Sequence, residues 1–436
     1  MFLTENLKID KDGVLEISGV KSTHLANEYG TPLLVLDEIK IMENIKRIKN
    51  VFDSADYTNY EIAYASKAFL NTELCRILQS EKVSLDVVSG GELYIAFHSS
   101  FPANKIFFNG NSKTNEELIM ALENDAGHII VDNEDEFRNI DKISKRLRKK
   151  AKIYFRVIPN ISPDTHKYIS TGQKNSKFGM PFDDMLKLIK SIKNSENLEI
   201  KGIHAHIGSQ INEAEPYVEL VKTFFDLLNK IRGETGVVLP EIDIGGGFGV
   251  AHSTFEKAID IQNAIKGVIQ EVRFLSNEFH YPSPKIIVEP GRYIISNAGT
   301  TLYTVGTIKK AENKKYVVID GGMADNIRPA LYGAKYEAFI ANRPKEKTNL
   351  EKVTIAGRAC ESGDILIEDT YLPEIKPGDL LAIPSTGDYT YSMSSNYNGF
   401  LKPAIVLVKN GKHKVITRRE IYDDLIKRDV ENSEWR

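Results

Sequence analysis

Cysteine is scarce in this sequence: its 436 residues include two, Cys75 and Cys360. Two cysteines in a chain of this length make no disulfide framework, so a reducing compartment, the cytoplasm, is the expected location. No run of about 18 apolar residues occurs, which excludes a membrane-spanning helix. The opening residues, MFLTENLKID, lack the apolar stretch of a signal peptide. An excess of positive charge is also missing. The net charge is -3, so neither nucleic acid nor an anionic membrane is an expected partner. There is no internal repeat and no low-complexity segment. What remains is ordinary for a globular chain, with 42% hydrophobic and 27% charged residues, and the length suits two or three domains.

From residue 60 onward, short β-rich runs alternate with amphipathic stretches. The runs fall at 60–66, 84–88, 105–109, 127–131, 152–158, 200–207, 241–245 and 285–289. Strand-helix alternation implies a parallel sheet, and this count and spacing predict a (β/α)8 TIM barrel, with an open doubly wound sheet as the alternative. After about residue 297 the texture becomes β-rich with turns, including a hairpin at Asn410-Gly411. The expected organisation is therefore α/β. A barrel spans 37–297, a mostly antiparallel β-sandwich domain spans 298–436, and an N-terminal segment, 1–36, joins the latter.

In such a barrel the carboxyl ends of the strands build the active site. Reading those ends gives Lys67, Asp86, Asn109, Asp132, Arg156, His204-Ala205-His206-Ile207-Gly208-Ser209, the GGGFG run at 245–249, and Glu289-Pro290-Gly291-Arg292. A lysine ending a buried strand is desolvated, which pushes its pKa down from about 10.4 and makes an amine able to form a Schiff base with an aldehyde; the plainer reading is a strand cap pointing to solvent. The glycine run suits a phosphate approached by backbone N–H groups, helped by the N-terminus of a following helix. Arg292 and Ser209 can serve the same anion. Glu289 needs a partner if buried, either an arginine or, were the aldehyde pyridoxal phosphate, its ring nitrogen. His204 and His206 stand two apart and share a face, so a metal pair is a rival. It would leave Lys67 and the glycine loop unexplained, and no metal is expected; His206 is read instead as a ring stacked on the cofactor. Cys75 reads as core. Cys360 lies in a turn beside Glu361 and Asp364, Arg328 and Tyr332 are four apart in MADNIRPALYGA, and Tyr389 sits in a loop.

These pieces together, YASKA, DVVSGGEL, FNGNSKT, SKFGM, HAHIGSQ, DIGGGFG, VEPGRY, DGGMADNIRPALYGA, CESGDIL and SMSSNYN, resemble the fold-type III pyridoxal-phosphate-dependent decarboxylases, and within them the diaminopimelate decarboxylases. The resemblance implies a barrel plus β-sandwich fold, pyridoxal 5'-phosphate as cofactor, an amino-acid substrate and a head-to-tail homodimer with shared active sites. It implies that Lys67 carries the cofactor, His206 stacks on the ring, and Glu289 pairs with the ring nitrogen. Ser209, Gly246, Gly247, Pro290, Gly291 and Arg292 would surround the cofactor and its phosphate, with Tyr389 reaching toward it. Cys360, from the partner subunit, would return a proton to the substrate. Glu361, also from the partner, would recognise the distal amine, and Arg292, Arg328 and Tyr332 the distal carboxylate. The product would be L-lysine. The sequence departs from the family at Asp388, where an alanine more often precedes the tyrosine. The long loop at 159–179 is expected to act as a lid. Rival readings are a broader decarboxylase of basic amino acids, an amino-acid racemase, which should carry a catalytic tyrosine in place of CESGD, and a non-catalytic homologue.

Overall fold

The structure is a computed structural model and describes residues 4–159, 176–192, 195–344 and 349–430. Most of the loop read as a lid lies outside the described residues. The chain divides into two compact units, one of residues 42–250 and 257–294, the other of residues 1–41, 251–256 and 295–436.

The first unit is a closed parallel barrel. Its strands, in chain order, are Tyr60–Ala65, Ser84–Val87, Ile106–Phe108, His128–Val131, Ala151–Arg156, Leu198–His204, Glu241–Asp243 and Lys285–Val288, and the eighth pairs with the first. All eight expected runs form strands, each shorter than expected, and the fifth and sixth begin one and two residues earlier, at Ala151 and Leu198. Every strand is apolar enough to be buried on both sides, as parallel strands covered by helices must be. Inside, Ala63, Phe107, Ile130, Tyr154 and Ile287 fill the lumen as one cluster, none more than 1% exposed. The helices start on side chains that satisfy their free N–H groups. Asn71, Ser89, Thr114, Asn133 and Asp260 each accept from backbone two or three residues on. At the amino end of the strands, Glu61 accepts from Ser84, Lys105 and Lys285. These groups make a charged plug remote from the carboxyl-end loops.

In the second unit, a nine-stranded sheet runs Ile365–Pro373, Leu350–Ala356, Lys315–Ile319, Gly299–Lys310, Leu33–Asp37, Ala404–Lys409, Lys412–Thr417, with Leu380–Pro384 and Phe339–Ile340 branching from it. A three-stranded sheet, Leu7–Ile9, Leu15–Ile17 and Val20–Lys21, accompanies it. The large sheet is mixed rather than mostly antiparallel. Ala404–Lys409 runs parallel to Leu33–Asp37, and Leu350–Ala356 parallel to Lys315–Ile319. The physical reason is chain path. Parallel neighbours need a long connection, and these pairs are joined by crossovers that local sequence does not reveal.

Candidate active site

Four loops meet at one end of the barrel because glycines allow backbone-to-backbone contact. A Cβ on Gly246 would stand 2.0 Å from the Glu289 carbonyl oxygen, and one on Gly247, at φ +89°, 2.0 Å from that of Gly208. A Cβ on Gly291 would stand 2.9 Å from Cβ of Ala65, two residues before Lys67. The loops after the sixth, seventh, eighth and first strands are thus packed side by side, in the order in which those strands neighbour one another. Ser209 accepts from Arg292 Nη2 at 3.3 Å, and the Gly246 N–H donates to His206 Nδ1 at 3.4 Å. Pro290 and Gly291 are buried, whereas Ser209, Gly247 and Arg292 are half-buried. The helix expected to follow the glycine run is not there. Residues 250–260 are irregular, and the next helix begins at Ile261, where the Asp260 side chain accepts from the N–H groups of Gln262 and Asn263.

Below this cradle lies a network of buried acids. Asn109 Nδ2 donates to Asp86 Oδ1 at 2.7 Å and to Glu289 Oε1 at 2.8 Å. His204 Nε2 lies 3.2 Å from Glu289 Oε2. Asp86, Asp243 and Glu289 are 1%, 0% and 5% exposed. Three such carboxylates cannot all ionise together. Burial and the charge of Glu289 push Asp86 and Asp243 well above the usual carboxylate range. Burial also raises Glu289, but its hydrogen bond with His204 and the charge of Lys67 outweigh it and hold this carboxyl down at about 2. Glu289 therefore carries the negative charge, and His204, driven toward its neutral form by burial, is the donor between them. Burial and the cations Lys67 and Arg156 keep His206 neutral as well.

Lys67 lies in a short turn, Ser66–Ala68, just past the first strand, and is exposed. The expectation of a desolvated amine is corrected here, since the strand ends at Ala65 and the lysine projects beyond it. Its charge nevertheless acts on Asp86, Glu92, His206 and Glu289, so the amine and the acid share one neighbourhood. His204, Asp243 and Glu289 put one ligand-type atom each within 4.8 Å of one another. His206 instead faces the glycine loop, which is not the histidine pair that a metal reading required. An amine, a buried ionised acid, a flat neutral ring and a glycine cradle beside an arginine match the aldehyde, ring nitrogen, ring face and phosphate of pyridoxal phosphate.

The remaining candidates belong to the sheet unit. Arg328 is buried, 4% exposed, and packs with its own cluster. Its Nη1 lies 2.9 Å from His252 Nε2 and 3.6 Å from Asp388 Oδ2, while Asp388 Oδ1 is 3.3 Å from the same histidine nitrogen. Tyr332, at the other end of the five-residue helix Arg328–Tyr332, is 36% exposed. Tyr389 has φ +51° and is half-buried. Cys360 is exposed, and so is Glu361. Their turn is fixed by Asp364, which accepts from the N–H groups of Met323 and Ala359, and by Asn398, which accepts from that of Cys360. Cys75 is core, 1% exposed. The sequence reading missed Asn109, His204 and Asp243 as the setting of Glu289. Their one signal was position, each being a polar residue at the carboxyl end of a barrel strand.

Comparison with known proteins bears on both units. Residues 38–296 match the family described as "Pyridoxal-dependent decarboxylase, pyridoxal binding domain", and residues 292–387 its "C-terminal sheet domain". The chain is 42% identical over 433 residues to the diaminopimelate decarboxylase of Bacillus subtilis (strain 168), covering 99% of this chain and 98% of that protein. Among solved structures it is similar to diaminopimelate decarboxylase from M. jannaschii in complex with L-lysine, with a TM-score of 0.92, 36% identity and 99% of each chain covered. The Helicobacter pylori enzyme complexed with L-lysine gives a TM-score of 0.85 at 32% identity, covering 93% of this chain and 98% of that one.

Proposed function

The chain belongs to the pyridoxal-dependent decarboxylases, and from that premise we propose that it removes one carboxylate of meso-2,6-diaminopimelate as carbon dioxide and leaves L-lysine. Pyridoxal phosphate is its cofactor; bound, it supplies an electron sink for the bond between Cα and the departing carboxylate.

The chain's own residues hold that group and handle protons. Lys67 is the amine that attaches to the cofactor's aldehyde. The backbone of Gly246 and Gly247, with Ser209 and Arg292, takes the phosphate, and Tyr389 supports it. Glu289, kept ionised, is the counter-charge for a protonated ring nitrogen. Asn109 and His204 hold that carboxylate by two hydrogen bonds, so its charge costs no reorganisation during turnover. The neutral ring of His206 covers the cofactor's face.

The substrate carries an amine and a carboxylate at each end. We assign the distal carboxylate to Arg328, Tyr332 and Arg292, and the distal amine to Glu361 of the partner subunit. Once carbon dioxide has left, the thiol of Cys360 of the partner subunit gives its proton to Cα, closing a C–H bond, and the thiolate is reprotonated from solvent. The exposed position of Cys360 and Glu361 on a rigid turn supports donation to a second copy, and hence a homodimer with shared sites.

The observation that carries this reading is Glu289, a buried carboxylate held ionised by the groups around it and close to the charge of Lys67. The test is carbon dioxide release by the purified protein with added pyridoxal phosphate, on meso-diaminopimelate, L-lysine, D-lysine and L-ornithine in parallel. Turnover of meso-diaminopimelate at least 100-fold above the others supports the proposal. Equal or faster turnover of L-lysine or L-ornithine would replace it with a broader decarboxylase of basic amino acids.

A further inference from the structure

Three metal-ligating side chains converge on the surface of the sheet unit with no part in the chemistry above. His24 and Glu28 lie one turn apart on the helix Ser22–Tyr29 and so share a face. His413 comes from the strand Lys412–Thr417, nearly four hundred residues along the chain. His24 Nε2 is 3.3 Å from His413 Nε2 and 3.2 Å from Glu28 Oε2, and His413 Nε2 is 3.9 Å from the same carboxylate oxygen. Ligands held about 2.0–2.1 Å from a tetrahedral zinc ion stand about 3.3–3.4 Å apart. The three atoms therefore already form a triangle close to one face of that tetrahedron. We propose that His24, Glu28 and His413 form a binding site for a divalent transition-metal ion of the zinc class, tying the N-terminal helix to the C-terminal hairpin.

Two observations besides the triangle support this. The first is the surrounding hydrogen bonding. Tyr29 Oη lies 2.7 Å from His413 Nδ1, so Nδ1 can carry the proton and leave the Nε2 lone pair for a metal. Tyr29 thus orients one of the three ligands, as outer hydrogen-bond partners do around histidine-bound metals. The second is rigidity. The hairpin's Gly411 N–H donates to Ser18 O at 2.8 Å, and Arg419 Nη2 donates to the carbonyls of Tyr29 and Pro32 at 3.2 and 2.7 Å. Helix and hairpin are held together before any ion arrives, which lowers the entropic cost of bringing the ligands into place. Two imidazoles and one carboxylate select zinc, nickel, cobalt or copper over magnesium and calcium, which prefer all-oxygen sites. With His24 and Glu28 side chains 56% and 43% exposed, a fourth position stays open to water.

The experiment uses the cofactor-loaded enzyme after dialysis against EDTA. Zinc binding is measured by calorimetry, and cobalt by its visible absorption. Wild type is expected to take up one more ion per chain than the His24→Ala/His413→Ala double variant, with the absorption of a tetrahedral cobalt centre. Tyr29→Phe should weaken binding about 10-fold or more, and zinc should slow amide exchange in residues 22–29 and 412–417 of wild type alone. Unchanged decarboxylation by the double variant shows that it is folded. Equal stoichiometry and affinity in wild type and double variant would overturn the proposal, as would a wild type that binds neither ion.

Discussion

Replacing Glu289 with glutamine keeps the shape of the side chain and removes one charge, and its consequences can be worked out from the surrounding atoms. The folded carboxyl sits at about 2 against an ordinary 4.5. A gap of about 2.5 pH units corresponds to roughly 3 kcal/mol in favour of the charged form. The group's pKa is lower in the folded chain than in the unfolded one, so its stabilisation is fully present above about pH 4.5 and is lost as pH falls toward 2. Asp86 and Asp243 pull the other way. Raised carboxylates make the folded state less stable as pH climbs past their unfolded values. Both are raised in part by Glu289 itself, so the glutamine lets them relax, and the net loss at neutral pH is expected to be about 1–3 kcal/mol. The effect on turnover is larger and cleaner. A protonated ring nitrogen would lose its counter-charge, and the expected fall in turnover is about 100-fold, equivalent to roughly 3 kcal/mol. The assays are steady-state carbon dioxide release and urea denaturation at pH 7 and pH 5, with cofactor absorbance as the check on binding. Since Asp243 lies beside Glu289 and is freed to ionise, Glu289→Gln/Asp243→Asn should be slower still. A Glu289→Gln enzyme that binds cofactor and turns over within threefold of wild type would refute the reasoning.

The proposed sharing of sites between two copies predicts complementation. Lys67→Ala and Cys360→Ala chains, each inactive alone, should recover about a quarter of wild-type activity when mixed and reassembled, because half of the randomly paired dimers hold one intact site; no recovery would remove the partner's thiol from the scheme. Lys113 is buried at 8% and donates to Gly110 O, Ile130 O and Glu136 Oε1 at 2.6, 2.7 and 2.6 Å. Glu136→Ala should therefore cost about 3–5 kcal/mol by leaving a buried cation unpaired, and Lys113→Met/Glu136→Leu should recover most of it in the same denaturation assay. Asp388→Ala, which takes the carboxylate from fully buried contact with His252 and Arg328, should destabilise the chain by a similar amount, and a neutral effect on the urea midpoint would show that His252 and Tyr336, whose hydroxyl accepts from Arg328 Nη1, suffice for Arg328.

Much of the barrel was legible because its signals are local. Each strand is a short apolar run, each helix a 3.6-residue pattern, and both can be read within ten residues. Positions at strand ends were legible for the same reason, and they already named Lys67, His206, Ser209, Glu289 and Arg292. Partners were not legible. Asn109 meets Glu289 across 180 positions of sequence, and nothing near either residue says that the barrel closes on them. The parallel pairing of Leu33–Asp37 with Ala404–Lys409 was hidden for the same reason. Exposure was misjudged at Lys67 because apolar neighbours in sequence were taken as neighbours in space. It lies just beyond the strand that buries those neighbours.

The acid network bears on why the site is built around a glutamate on one strand rather than any acid in the barrel mouth. Asp86, Asp243 and Glu289 are all buried, and Arg156 and Lys67 supply positive charge to the set. Burial penalises each carboxylate, so the charge settles where hydrogen-bond donors are most numerous. Asp86 has Asn109, and Asp243 has the Gly245 N–H at 2.9 Å. Glu289 alone combines a side-chain amide with a histidine. His204 thus decides which acid ionises, and a histidine next to the catalytic region acts without touching substrate. It follows that the three acids titrate as a set. His204→Asn or His204→Gln, by weakening that donor, would move charge toward Asp86 and Asp243, away from the carboxylate assigned to the cofactor nitrogen, and so would impair turnover with Glu289 itself intact.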